Sequence, residues 1–343
     1  MIGLARTPTG IFRRAALAIA CAFAILNLAA CGGGGDGASA PAPGSKAFAA
    51  DPTQQAIGSV VNPDPGAGPL PIDRIIMGPN TGLSTSPLTS LVLDTANDRL
   101  YVGSGASILV FNSASMADGN ISPSRAVPGI GIAGSLFLDT VNNRLYVGDN
   151  FVGVRVFDNA SGINGVTAST RFVTGNFGTS FEIFGVAVDT VNDILYVSAI
   201  STTPSSTNHI NVFDAAHLAN SALTPNRTIV PTITGTIQSV RGIFLDAAHD
   251  RLYVAGDAFK TVMVFEPAST ADGAIAPTKV ISFPASGAIS NVFVDVANDR
   301  LYAVSFGSIS IVHNVSTLTS GSATATAAVA PPGGGFSAVA VSP

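Results

Sequence analysis

Short apolar runs of four to six residues, bounded by Gly, Asn, Asp and Pro, recur from about residue 59 to the end of the chain, and nothing between them keeps a helical period over ten residues. The pattern predicts β-strands throughout. One run closes on an Asp each time: "SLVLD", "SLFLD", "GVAVD", "GIFLD" and "NVFVD" end at Asp94, Asp139, Asp189, Asp246 and Asp295. The intervals are 45, 50, 57 and 49 residues, a period that belongs to propeller blades or to units of an array.

Within each unit four strand signals follow in one order. In the first unit "SLVLD" leads through a short polar turn to "RLYVG", then to "SILVFN", then after a loop to "SRAVPG". Four antiparallel strands per unit make a propeller blade. The chain ends supply a further set: "SVVNPD" (59–64) is similar to a third strand, "IDRIIMG" (72–78) to a fourth, and "FSAVAVSP" (336–343) to a first, with Ser342 in place of the Asp. The second strand of that set falls on "KAFAA", Lys46 to Ala50. The expectation is an all-β, six-bladed β-propeller of four-stranded blades, spanning 56–343 and closed by N- and C-terminal strands sharing one blade. Such closure protects edges that would otherwise pair with other chains.

Composition fits a packed strand protein, with 47% hydrophobic and 11% charged residues. The first thirty residues follow a different rule. Arg6, Arg13 and Arg14 precede a twelve-residue apolar run, Ala15 to Leu26, too short to cross a bilayer comfortably, so residues 1–30 read as an export signal. The run leads into "LAAC", Leu28 to Cys31, which resembles the lipobox of bacterial lipoproteins. That resemblance implies cleavage before Cys31 and lipidation at Cys31, and Gly32 after it favours an outer-membrane anchor. Residues 31–55 are expected to be a flexible Gly/Ala/Pro tether.

Loss of the signal removes Cys21, leaves Cys31 as the one thiol and changes the net charge from −5 to −8. Intramolecular disulfides, thiol catalysis and cysteine-zinc sites are excluded from the mature chain. The acidic balance argues against nucleic acid as a partner. The expected partner is the membrane through the lipid anchor, together with an envelope protein or polymer, the chain itself being a monomer.

The turn that follows each first strand, "DTANDR" in the first unit, sets Asp94, Asn97 and Asp98 close together and invites a calcium reading, since hard cations take several oxygen ligands. The competing reading is structural. Asn and Asp tolerate left-handed backbone and bond exposed amides, and Asn143 and His249 replace members of the set in other copies. No metal site is assigned.

"LYVGS", "LYVGD", "LYVSA" and "LYVAG", with "VFN", "VFD" and "VFE" on the third strands, resemble the YVTN-type and NHL-like propeller repeats of bacterial exported proteins. The resemblance implies the fold and leaves the activity open, because such families hold both scaffolds and enzymes. Lactonases of related six-bladed propellers bind a divalent metal at the channel, and no equivalent carboxylate set is identifiable here.

Function is expected where the units stop repeating, on the face shared by the loops from second to third strand and from fourth to next first strand. "SAISTTPSSTNH" (198–209), "GNFGTSFEIF" (175–184) and "PTITGTIQSVR" (231–241) are the departures. They nominate a pocket lined by Glu182, His209, Gln238, Arg241 and Asp257. The expected function is a non-enzymatic binding or scaffold module, and the alternative is a metal-dependent, lactonase-like hydrolase.

Overall fold

A computed structural model describes residues 45–343 apart from 62, 64–70, 84–87, 176, 178–180, 202–207, 257–259, 285, 324, 326, 330–334 and 343. The chain divides into 1–42 and 43–343, and the described residues belong to the second unit. No helix among them is long and apolar enough to cross a membrane.

Six antiparallel sheets form the blades of a β-propeller, as the repeat predicts. The inner strands are Leu88–Asp94, Ala133–Asp139, Phe181–Asp189, Ile243–Asp246, Ile289–Asp295 and, for the closing blade, Ala338–Val341. In the closing blade Ala338–Val341 pairs with Lys46–Asp51, which pairs with Ala56–Val61, which pairs with Arg74–Met77. The strand Lys46–Asp51 corrects the lower boundary expected for the propeller, because the sheet begins ahead of residue 56. Its sequence explains why: "KAFAAD" has no Gly or Pro, and Ala47 to Asp51 are all buried between neighbouring strands.

The core lies between blades. Leu100, Val102 and Leu109 of the first blade pack with Phe48, Ile57 and Ala340 of the closing blade. The recurring tyrosines cross the same seams: Tyr101, 1% exposed, donates its hydroxyl to Ala160 O of the next blade at 3.2 Å. Burial raises the pKa of Tyr146, Tyr196 and Tyr253.

Outer edges are covered by a device that the strand pattern alone does not predict. In the five blades other than the closing one, the loop after the third strand reaches back to the preceding blade's outer strand, and three of these loops add strands in parallel, with the pairs Val173↔Ser221, Ile229↔Gly273 and Ile281↔Gly321 among them. Asp118, Asn164, Asn220 and Asp272 start these segments and accept amides of Ile75, Ala126, Phe172 and Thr228. Arg125 and Arg171 donate from the outer strands to carbonyls of the same loops, Ser161 O at 2.5 Å and His217 O at 2.6 Å. Edge strands are thereby shielded from pairing with other chains.

Candidate functional site

The repeated Asp residues hold turns. Asp94 Oδ1 accepts the Asn97 amide at 3.2 Å and its Oδ2 accepts Asn97 Nδ2 at 2.9 Å. Asp139, Asp189 and Asp295 hold Asn142, Asn192 and Asn298 in the same way, with side-chain bonds of 2.8 Å. Asp246 instead meets His249 Nδ1 at 2.7 Å. The next polar residue, at positive φ in each copy (Asp98 49°, Asn143 54°, Asp193 60°, Asp250 53°, Asp299 52°), ties the turn to the loop after the third strand. Asp98 does so through Ser115, Asp250 through Ser269 and Asp299 through Ser316.

Acidic groups further along this face are also engaged. Desolvation works to raise the pKa of Asp158, but hydrogen bonds from Arg171 and Thr170 bring it below the ordinary carboxylate value. The hydrogen bond from Arg251 lowers Glu266. Asn142→Ala is expected to cost about 1 kcal/mol, one neutral side-chain hydrogen bond, without altering the fold. Thermal unfolding with and without added calcium checks both readings of the turn: the structural reading expects a lowered midpoint in the variant and no response to calcium in either protein.

The opposite face carries the channel mouth. Four inner strands hold a β-bulge near their start, between Leu88 and Ser90, Ala133 and Ser135, Ile183 and Gly185, and Ile289 and Asn291. The extra residues are Thr89, Gly134, Phe184 and Ser290, and Arg241 and Ser337 hold the same place in the other two blades. A bulge re-aims one residue out of the ladder, and all six line one cavity of about 320 Å³ with Pro52, Asn291, Phe306 and Phe336.

Side chains below the bulges join blade to blade. Ser90 Oγ accepts Leu136 N at 2.8 Å, Ser135 Oγ accepts Val186 N at 3.0 Å, and Thr89 Oγ1 donates to Ala133 O at 2.7 Å. The mouth is therefore built on rigid ring contacts. Arg241 is the single charged side chain among the described lining residues. Its backbone is fixed by Arg241 N to Ala255 O at 2.8 Å and by Ser198 Oγ to Arg241 O at 2.7 Å. Its guanidinium lies 4.3 Å above the centre of the Phe184 ring.

The residues nominated from sequence separate on this frame. Arg241 lines the mouth, whereas Gln238 lines a second cavity with Ile233, Thr236 and Thr261. Gln238 is buried, with Nε2 bonded to Thr236 O at 2.7 Å. Glu182 pairs with Ile200 and His209 with Ala199 on neighbouring strands of the third blade, and neither lines these two cavities. Asp257 and residues 202–207 of the 198–209 loop lie outside the described residues. Phe184, Phe306 and Phe336 were not nominated. Phe184 has a sequence signal, since it stands five positions before Asp189, as Arg241 stands five before Asp246.

No cluster of three or more His, Cys, Asp or Glu side chains placed to hold a metal occurs among the described residues. The described lining of the mouth offers hydroxyls, one amide, one guanidinium and aromatic rings, without the carboxylates that would hold a divalent metal in a lactonase-like site.

No protein family and no curated protein matches the sequence. A chain in a crystal structure of a nidogen/laminin complex is similar in fold, with a TM-score of 0.56 and 12% identity over 87% of this chain and 98% of that one. At that identity the likeness concerns the fold, a β-propeller, and nothing of its chemistry.

Proposed function

We propose that the chain is an exported lipoprotein, lipidated at Cys31, whose propeller is a non-enzymatic binding or scaffold module for another envelope protein or polymer. The observation that carries this reading is the channel mouth: all six blades contribute to one cavity of hydroxyl, aromatic and cationic groups, without a carboxylate or histidine among its described lining to act as acid or base. The distribution of charge supports it. The recurrent acids cluster in the turns of the opposite face, and Lys46, where the described sheet begins, pairs with Val61 near that face. The mouth thus lies at the opposite end of the sheet from Lys46.

Two measurements test the reading. Labelled palmitate should enter the full chain expressed in a bacterial host with its own export signal, and Cys31→Ser should lose both the label and membrane fractionation; label retained in the variant overturns the anchor. A photo-crosslinking residue at Phe306, 67% exposed beside the mouth, should give a defined adduct in the intact envelope, while one at Val141, 84% exposed on the turn face, should not. Adducts from Val141 alone would place the binding surface on the wrong face.

A further inference from the structure

The second cavity lies beside the connection from the third blade to the fourth. There the outer strand Arg227–Ile233 folds back on Thr236–Ile237 through a two-residue turn, with Thr234 at φ 50° and Gly235 at φ 80°, the left-handed pair that a tight hairpin requires. Across from this hairpin, Thr261 of the fourth blade's third strand pairs with Ser282 of its outer strand. The cavity between them holds about 280 Å³, with Ile233 and Val280 as apolar walls and Gln238, Thr261 and Ser282 among its polar ones. None of its described lining residues carries a charge.

Two oxygens in these walls are buried and unpaired. Gln238 is 2% exposed and Thr261 4%, and neither Gln238 Oε1 nor Thr261 Oγ1 meets a hydrogen-bond partner. The Gln238 side chain is fixed in orientation. Its backbone N–H donates to Pro231 O at 2.8 Å and its Nε2 to Thr236 O at 2.7 Å, so Oε1 is the acceptor left over. Unpaired polar atoms in a folded interior cost stability, and each calls for an explanation. A valine would fill the place of Thr261 without that cost.

We propose that this cavity binds a neutral polyhydroxyl ligand the size of one sugar ring, whose hydroxyls pair with Gln238 Oε1, Thr261 Oγ1 and Ser282 Oγ. The cavity shares no described lining residue with the mouth, so the assignment goes beyond the reading of the mouth and does not rest on it. Size agrees, because a cavity of about 150 Å³ already accommodates a benzene, and the larger volume leaves room for ring substituents. Chemistry narrows the class. Oε1 only accepts, so the ligand must donate to it, while a ligand hydroxyl can both donate to and accept from Thr261 and Ser282. An anion would set its lone pairs against Oε1, and a cation would lose its water without a counter-charge among the described lining. Ile233 and Val280 offer aliphatic surface to the C–H faces of such a ring.

Saturation-transfer NMR titrations of the full chain in a zwitterionic detergent, with D-xylose, D-xylonate and tetrahydropyran as probes, test the assignment. D-Xylose should bind about tenfold tighter than the anion or the ring without hydroxyls. Thr261→Val keeps the shape and removes one unpaired oxygen. Xylose affinity should fall about three- to tenfold in it, the scale of one hydrogen bond, while the unfolding midpoint holds or rises, a split that a structural hydroxyl would not give. Ser282→Ala, on a half-buried side chain, should show a similar fall with the fold intact. Equal binding of the three probes, no binding of xylose to the parent, or full affinity in both variants overturns the proposal. A lowered midpoint in Thr261→Val would show that the hydroxyl is satisfied within the protein and overturns it as well. Crosslinking from Phe306 tests the mouth alone, and its outcome does not bear on this cavity.

Discussion

Deleting Phe336–Pro343 is expected to abolish cooperative unfolding of the propeller. The strand Ala338–Val341 is the inner strand of the closing blade, and it pairs with Lys46–Asp51 through the register Ala47↔Val341 to Ala50↔Ala338. Further bonds hold it in place: Lys46 N to Ser342 Oγ at 2.8 Å, Ser337 N to Ala50 O at 3.0 Å, and the Ser337 hydroxyl to Leu88 O of the first blade. Phe336, Val339 and Val341 are each buried to 6% exposure or less. At roughly 1.5–3 kcal/mol for each large side chain, their loss removes about 5–9 kcal/mol, a large part of the 5–15 kcal/mol that usually separates folded from unfolded chains. The deletion also bares Lys46–Asp51 as a new edge, which favours association. Circular dichroism during heating, with light scattering, checks this. Adding a peptide of residues 336–343 should restore a cooperative transition by strand addition, and a deletion variant that melts like the parent would show that ring closure contributes little.

Why the fold was legible and the site less so follows from how each is encoded. Every blade solves the same burial problem, so "SLVLD" and "RLYV" recur and their period reveals the ring. Closure was readable because "KAFAA" and "FSAVAV" carry the alternating small and large apolar residues of the strands they complete, even though tether composition suggested a later start for the sheet. The mouth is encoded differently. Its six residues at this position, four of them at bulges, are Thr, Gly, Phe, Arg, Ser and Ser, alike in position and unlike in chemistry, so they show no motif when read along the chain. Read down the repeat, five positions before each closing Asp or Ser342, they form one column. Charge and loop length singled out Arg241, which lines the mouth. The same criteria also singled out Gln238, Glu182 and His209, whose strands direct them elsewhere, and passed over Phe184, because an aromatic residue in an apolar strand looks like core.

A second large loss is expected from Asp149→Ala. Asp149 ends the second strand of the second blade on the mouth face and is 0% exposed. Its carboxylate accepts Gly131 N at 3.1 Å, Ile132 N at 2.9 Å and Arg155 Nε at 2.6 Å, so one side chain pins the connection from the first blade into its own blade's inner strand. Gly131 is required there, because a Cβ at that position would collide with Asp149 Oδ1. Removing the carboxylate strands two amides and leaves Arg155, packed 5.1 Å from the Phe172 ring centre, without its counter-charge. Breaking a fully buried pair from one side typically costs about 3–5 kcal/mol, and with the Arg155 side chain 26% exposed the loss is expected at the lower end of that range. Denaturant unfolding should show that loss for Asp149→Ala and a smaller one for Asp149→Asn, which keeps an acceptor oxygen. The double variant Asp149→Leu/Arg155→Leu separates charge from connection. If the uncompensated guanidinium dominates, the double variant is more stable than Asp149→Ala; if the two amides dominate, it is no better. A loss under about 1 kcal/mol in Asp149→Ala, the size of an ordinary surface change, would mean that the 131–132 connection is held by its backbone alone. The bulge at Gly134 lies two residues beyond that connection, and Gly134 lines the mouth. The stability of this buried carboxylate and the shape of the mouth cavity are therefore linked through one short segment.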